Sequence, residues 1–348
     1  MSIRCWGIYE FKEGSDVIRT EGLQGNDPHN FGAKLNIFDA RSILKGHQIC
    51  NDLGLDEDNA CGTLAWAFEC YQRGIIGVNE TDGLKLEWGN TDVVFELLYK
   101  MALRDGFGDI LAEGSRRAAK IMGVGQDYSI NIKGQDLMES LRSSIGWALG
   151  TVVSARGGGH TRGAANESRL QNLSEKKCVE IFGIPEISSK ASYHNKEKLV
   201  IYFERLEAVL DCLGLCSFTN SIRVDMLLPE DYAELFSLAT DIKMDKETFM
   251  YWGERVHTLE KCFNVLHRGW TRKHDLPPDR FFTVSIVNGP EKGQKLDRIE
   301  WNKLLDNYYQ LHDWDIITGW PKKQTLLRLD LDDLVPVLEE YNKLKRIM

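Results

Sequence analysis

Apolar residues recur at helical spacing along most of this chain, and that periodicity confines it to a predominantly α-helical fold. Leu64, Ala67, Phe68 and Tyr71 fall at i, i+3, i+4 and i+7, one face of a helix. Val94, Leu97, Leu98 and Met101 repeat the spacing after a Thr91-Asp92 start signal. Gly106-Phe107-Gly108 interrupts, and the next helix is expected from about Asp109 to Ile121. Leu199, Tyr202, Phe203, Leu206, Val209, Leu210 and Leu213 form a continuous stripe, which Gly214 closes as a C′ glycine. Phe249, Trp252, Val256, Leu259, Phe263 and Leu266 step by three and four and read as a core face rather than a cofactor box. Strand signals are short: residues 128–132 alternate, and 281–284 are compatible with a strand. Loops are expected at 21–32, 155–167 and 274–280.

The 348 residues correspond to about two domains at ~150 residues each, long enough to build cores without disulfides. Glycines and polar residues gather at 150–195, which places the first domain at 1–150 and the second at 151–348. Acidic residues outnumber basic ones, 52 to 43, which argues against nucleic-acid binding, since that needs a surplus of cations. No apolar run has the length of a membrane span, and the first residues show no apolar signal segment, so a cytoplasmic protein is expected. Its eight cysteines are then reduced thiols. Cys50, Cys70, Cys178 and Cys262 sit among apolar or helical neighbours and read as small buried hydrophobes.

Residues 51–56 (NDLGLD) and 211–216 (DCLGLC) share one form: acid or amide, two residues, Gly, Leu, then Asp or Cys. Each follows a helical stretch. Each would put an amide or carboxylate in the last turn, a glycine in the left-handed conformation, and a polar or thiolate group just past the end. Side chain and turn backbone can then bond one flat heterocycle together. A repeated helix C-cap without a ligand has the same form, and spacing alone favours it.

Further segments change that balance: residues 61–74 (CGTLAWAFECYQRG), 105–114 (DGFGDILAEG), 156–162 (RGGGHTR), 253–263 (GERVHTLEKCF), 271–281 (TRKHDLPPDRF) and 305–314 (LDNYYQLHDW). With the two turns, and in this order, the chain resembles the aldehyde ferredoxin oxidoreductase family, the tungsten or molybdenum bis-pterin enzymes. The resemblance implies a mainly α fold, the family's two helical C-terminal domains with the cofactor site between them, without the β-rich N-terminal pterin-binding domain. It implies two pterins, held by Asn51, Asp52, Gly54, Leu55 and Asp56 at the first turn and by Asp211, Gly214 and Leu215 at the second. Arg156, Gly157 and Arg162 would approach and pair with the cofactor's phosphates. His160 takes the place of a proton-transfer residue, a role suited to imidazole. Cys216 matches a [4Fe–4S] ligand, and Cys5 looks like the third cysteine of the family's other cluster motif, whose first two ligands would lie upstream of Met1.

Two further departures are read within that resemblance. Glu21 matches the first acid of a family Glu-x-Glu-Thr segment, while the second acid becomes Leu23. Cys61 stands where many members have a small or hydroxyl residue. It reads either as a tungsten ligand, as in the branch that includes class II benzoyl-CoA reductases, or as a buried thiol at a helix start. The implied function is redox chemistry on an aldehyde, oxo or acyl-thioester substrate, with electrons passing through the cluster to or from a ferredoxin-type carrier. A separate chain could supply the N-terminal domain, and self-association is expected. The alternative is a non-catalytic remnant or the structural half of a split enzyme.

Overall fold

The computed structural model describes residues 7–13, 16–22, 26–138, 140–164, 170, 173–216 and 227–344. The chain divides into two compact units, 1–140 and 141–348. The division falls ahead of the sequence-expected boundary at 150, which lies inside a buried helix.

The first unit opens with an antiparallel hairpin, β1 (Gly7–Glu13) and β2 (Asp16–Gly22), in a register pairing Gly7 with Gly22. Part of the segment expected as a loop is therefore strand. The hairpin escaped the sequence reading because Ile8, Tyr9 and Val17 are exposed, so no buried face imposes a clean alternation. A π-helical turn at Pro28–Lys34 follows, then α1 (Ala40–Leu53), α2 (Glu57–Gln72) and α3 (Thr91–Leu103). Asp39, Asp56 and Asn90 cap the three helices, each accepting a backbone N–H three residues on. The helix expected over 109–121 is two, α4 (Phe107–Leu111) and α5 (Ser115–Met122). Gly114, at φ +81°, turns the chain between them, and α4 lies so close to α3 that a Cβ on Gly108 would come within 2.3 Å of the Lys100 carbonyl carbon. A short hairpin, β3 (Asn131–Ile132) with β4 (Gln135–Asp136), is what the 128–132 signal becomes. The core gathers Phe31, Leu64, Phe68, Leu97, Leu98 and Phe107.

The second unit contains α6 (Ile145–Val153), α7 (Glu175–Phe182), α8 (Lys196–Cys212), α9 (Pro229–Thr240) and α10 (Lys246–Arg268). It continues with α11 (Arg280–Thr283), α12 (Arg298–Leu311), α13 (Lys323–Arg328) and α14 (Leu334–Glu340). Helix α8 is its axis and packs against α6, α7, α10 and α12. The strand compatible with 281–284 is instead the helical turn α11. Phe281 and Phe282 are both buried there, and the Arg142 and Arg298 guanidinium groups lie over their rings.

Helix α10 overturns a second expectation. Of its apolar stripe, Phe249 is buried, but Trp252, Leu259 and Phe263 are exposed. The inward face instead carries Gly253, Glu254, His257, Thr258, Lys261 and Cys262. Gly253 sets this orientation: a Cβ there would lie 2.0 Å from the Arg205 carbonyl oxygen of α8. The two charged groups on this face find partners, Glu254 with Arg205 and Arg328 and Lys261 with Asp275, which offsets their desolvation.

Candidate functional site

The two echoed segments adopt one geometry. Helix α1 ends where Gly54, at φ +69°, donates its N–H to the Asn51 carbonyl, and Leu55 donates to Cys50 at 2.8 Å. Helix α8 ends where Gly214, at φ +70°, donates to Asp211, and Leu215 donates to Leu210 at 2.9 Å. These are twin Schellman turns. Asn51, Asp52, Gly54 and Asp56 are exposed in the first, as are Asp211, Gly214 and Leu215 in the second. Leu55 is half-buried against the core. Asp56 has a structural task, since its Oδ1 accepts from the Asn59 backbone and side chain.

At the first turn the Asn51 side-chain amide lies 2.8 Å from His47 Nε2. His47 Nδ1 lies 2.9 Å from Glu57 and 3.3 Å from Asp27. Hydrogen bonds to Asp27 and Glu57 push the imidazole up to about 10, so it is an imidazolium at neutral pH. Cys61 is fully buried in α2. Burial, then Cys50 and Glu57, hold its thiol well above the ordinary range, against the pull of Lys34. Glu21 is exposed on β2, opposite Ile8, and β2 rests against α1. Cys5 lies outside the described residues.

In the second unit the arginine-glycine segment and the second turn meet. A cleft of about 630 Å³ is lined by Ser154, Arg156, Arg162 and Asp211, with Leu259 and Phe263 from α10. Leu259 and Phe263, exposed on α10, are thus the apolar wall of this cleft. Arg162 donates to Asp211 at 2.8 Å and to Glu260 at 2.7 Å, so it fixes the turn's leading carboxylate. Burial would lower its guanidinium, but Glu260 and Asp211 prevail and keep it charged. Gly157 is buried at φ +78°. His160 is half-buried and stacks on Trp147 of α6, ring centroids 5.2 Å apart. The loop is pinned beneath, since a Cβ on Gly150 would meet the Ala164 backbone at 2.4 Å and one on Gly163 would meet Glu204 Cγ at 2.5 Å. Cys216 ends the second turn and is half-exposed.

Two groups escaped the sequence reading. Glu207, one turn before Asp211, is buried with its Oε2 lacking a hydrogen-bond partner among the described residues. Burial, then the Asp211 charge, push its carboxyl up to about 8. Deeper in the unit, Glu204, His257, Tyr308, His312 and Trp314 form a buried cluster. His257 and His312 lie in segments singled out above, but Glu204 sits within an apolar stripe that gives no hint of it. Burial pushes Glu204 up to about 8 despite the Tyr308 hydrogen bond. Burial also holds His312 well below its ordinary range, helped by His257.

The family model described as aldehyde ferredoxin oxidoreductase, domains 2 & 3, matches residues 2–331. The tungsten-containing aldehyde ferredoxin oxidoreductase of Pyrococcus furiosus is 33% identical over 311 residues, 88% of this chain and 48% of that protein. Its counterpart from Thermococcus kodakarensis is 32% identical, over 85% of this chain and 46% of that protein. The aliphatic sulfonate oxidoreductase WOR-like subunit of P. furiosus is 26% identical, over 87% and 44%. The chain therefore spans about half the length of the curated relatives it matches. Among solved structures, the active site complex BamBC of benzoyl coenzyme A reductase with 1,5-dienoyl-CoA superposes with a TM-score of 0.76 at 24% identity. That match covers 97% of this chain and 52% of that one, and it shows a shared fold.

Proposed function

The chain belongs to the aldehyde ferredoxin oxidoreductase family, as its domains 2 and 3, and from that premise we propose that it forms the helical part of a tungsten–pterin oxidoreductase acting on an aldehyde or other oxo substrate. The observation that carries this reading is the pair of twin Schellman turns, each opening on an exposed amide or carboxylate. A capping role alone requires neither the matching acid-or-amide position nor a neighbouring cleft lined by two arginines.

The residues present fit a pterin. Asn51 and Asp52 at the first turn, and Asp211 with the Gly214-Leu215 backbone at the second, offer donors and acceptors to a flat heterocycle. When bound, the tungsten–pterin group would supply the two-electron redox step. Arg156 brings a cation to the cleft for a phosphate. Arg162 holds Asp211 in register and lines the same cleft, so its guanidinium would be a second cation there for a phosphate. His160, oriented by Trp147, would take up and release a proton at its imidazole nitrogen. The exposed Glu21 remains a second proton-carrying candidate. Cys216 is the single expected cluster thiol among the described residues, so no electron-transfer step is assigned to this chain. A [4Fe–4S] centre and a ferredoxin-type carrier belong to the proposed whole. Cys61 is fully buried in the first unit's apolar core, which favours a core role over tungsten ligation.

Protein isolated anaerobically from its native cells should contain tungsten and pterin and reduce a viologen dye with an aldehyde. His160→Ala should abolish turnover with tungsten and pterin content unchanged. Native protein free of tungsten and pterin would replace this reading with the non-catalytic one, and full turnover by the variant would remove His160 from proton transfer.

A further inference from the structure

We infer that Glu204, His257 and His312 form a binding site for a divalent transition-metal ion of the zinc type, separate from the pterin turns. The three residues come from α8, from α10 and from the residue that closes α12. Their side chains are buried, none more than 4% exposed. Glu204 Oε2 lies 3.3 Å from His312 Nε2 and 3.6 Å from His257 Nε2, and the three atoms lie within 4.8 Å of one another. Tyr308 brings a fourth oxygen, its hydroxyl 3.0 Å from Glu204 Oε2 and 3.4 Å from His257 Nε2. Tetrahedral ligands at about 2.1 Å from an ion stand about 3.4 Å apart, and the separations from Glu204 and Tyr308, 3.0 to 3.6 Å, lie around that spacing.

The donor chemistry points to the same ions. Two imidazoles and one carboxylate suit zinc, iron(II) or cobalt(II), whereas calcium and magnesium prefer oxygen alone. The rings are held in place before any ion arrives: Trp314 stacks on His312 at 4.4 Å and on His257 at 5.8 Å. Tyr308, whose hydroxyl donates to both Glu204 oxygens, stands on the fourth side, and since every one of these residues is buried the ion would serve to tie helices together. An ion there would tie α8, α10 and α12 together beneath Gly163, whose own Cβ position is filled by Glu204. The base of the arginine-glycine loop would then rest on the metal. The other His-carboxylate group, Asp27, His47 and Glu57, differs: Asn30 and Asn51 hydrogen-bond its members from outside, and it reads as an ion pair.

The test uses the full chain, produced with zinc in the medium, stripped of loose metal by EDTA and dialysis, and assayed for zinc per folded chain. A cobalt-grown preparation is examined by visible absorption, and the zinc form by X-ray absorption at the zinc edge. Expected are roughly one zinc per chain, cobalt d–d bands without thiolate charge transfer, and an imidazole-containing first shell. His312→Ala and Glu204→Gln should lower bound zinc by about tenfold or more, and His47→Ala should leave it unchanged. Wild-type chain without stoichiometric zinc, a thiolate band, or a shell without imidazole would each overturn the site. So would full zinc retention by either variant. If His312→Ala does not fold, the near-isosteric His312→Gln and the wild-type spectra decide the question alone.

Discussion

At the residue scale the informative groups are buried carboxyls. Glu207 has a folded-state value of about 8 against an ordinary 4.5, raised first by burial and then by Asp211. The folded chain therefore binds a proton that the unfolded chain releases between those values. The stability linked to Glu207 is fully present below about pH 4.5 and is lost as pH rises through about 8. Wild-type urea midpoints should thus fall between about pH 5 and 8.5, and Glu207→Gln should flatten the fall. In the metal-free chain Glu204 contributes with the same sign, so part of the slope persists in the variant. Identical slopes for the two proteins would show that Glu207 ionises normally. No spacing rule announces either glutamate, because each occupies an otherwise apolar helix face and owes its shift first to burial by elements distant in sequence.

At the element scale glycines carry the argument. Gly54 and Gly214 are both left-handed, with open space where a Cβ would stand. Gly54→Ala and Gly214→Ala should therefore each cost about 1–2 kcal/mol, nearly equal because the turns are the same. Gly253 is right for a different reason. Its missing Cβ admits the Arg205 carbonyl of α8, and backbone cannot yield as a flexible side chain would. Gly253→Ala should cost about 3 kcal/mol or more. Chemical-denaturation midpoints on the three variants check both statements. A Gly253→Ala loss no larger than that of Gly214→Ala would mean that α8 and α10 can slide apart freely. The twin turns were legible because a Schellman cap is local: an amide or acid, a glycine and a leucine at fixed spacing suffice. The α10 face was not, because its apolar stripe and its polar stripe are both periodic, and only contact with α8 selects the polar one for burial.

At the scale of the whole molecule, each unit carries its own apolar clusters. Those of 141–348 centre on Leu199, Leu206, Phe249 and Leu326. A fragment spanning 141–348 should therefore keep its helical circular dichroism and melt cooperatively, and a fragment without a thermal transition would show that it needs the first unit. The sequence by itself determined that the chain is helical, where most long helices lie, that two helix ends match, and which family the ordered motifs resemble. These rest on local periodicity and capping, whose physics spans a few residues. Tertiary structure alone decided that α10 buries its polar side, that 281–284 coils rather than extends, that Arg162 grips Asp211 and Glu260, and that Glu204 meets His257 and His312. Each of these depends on groups brought together from 49 to 108 residues apart, or on which face a neighbour covers, and pairing across such distances leaves no period in the chain.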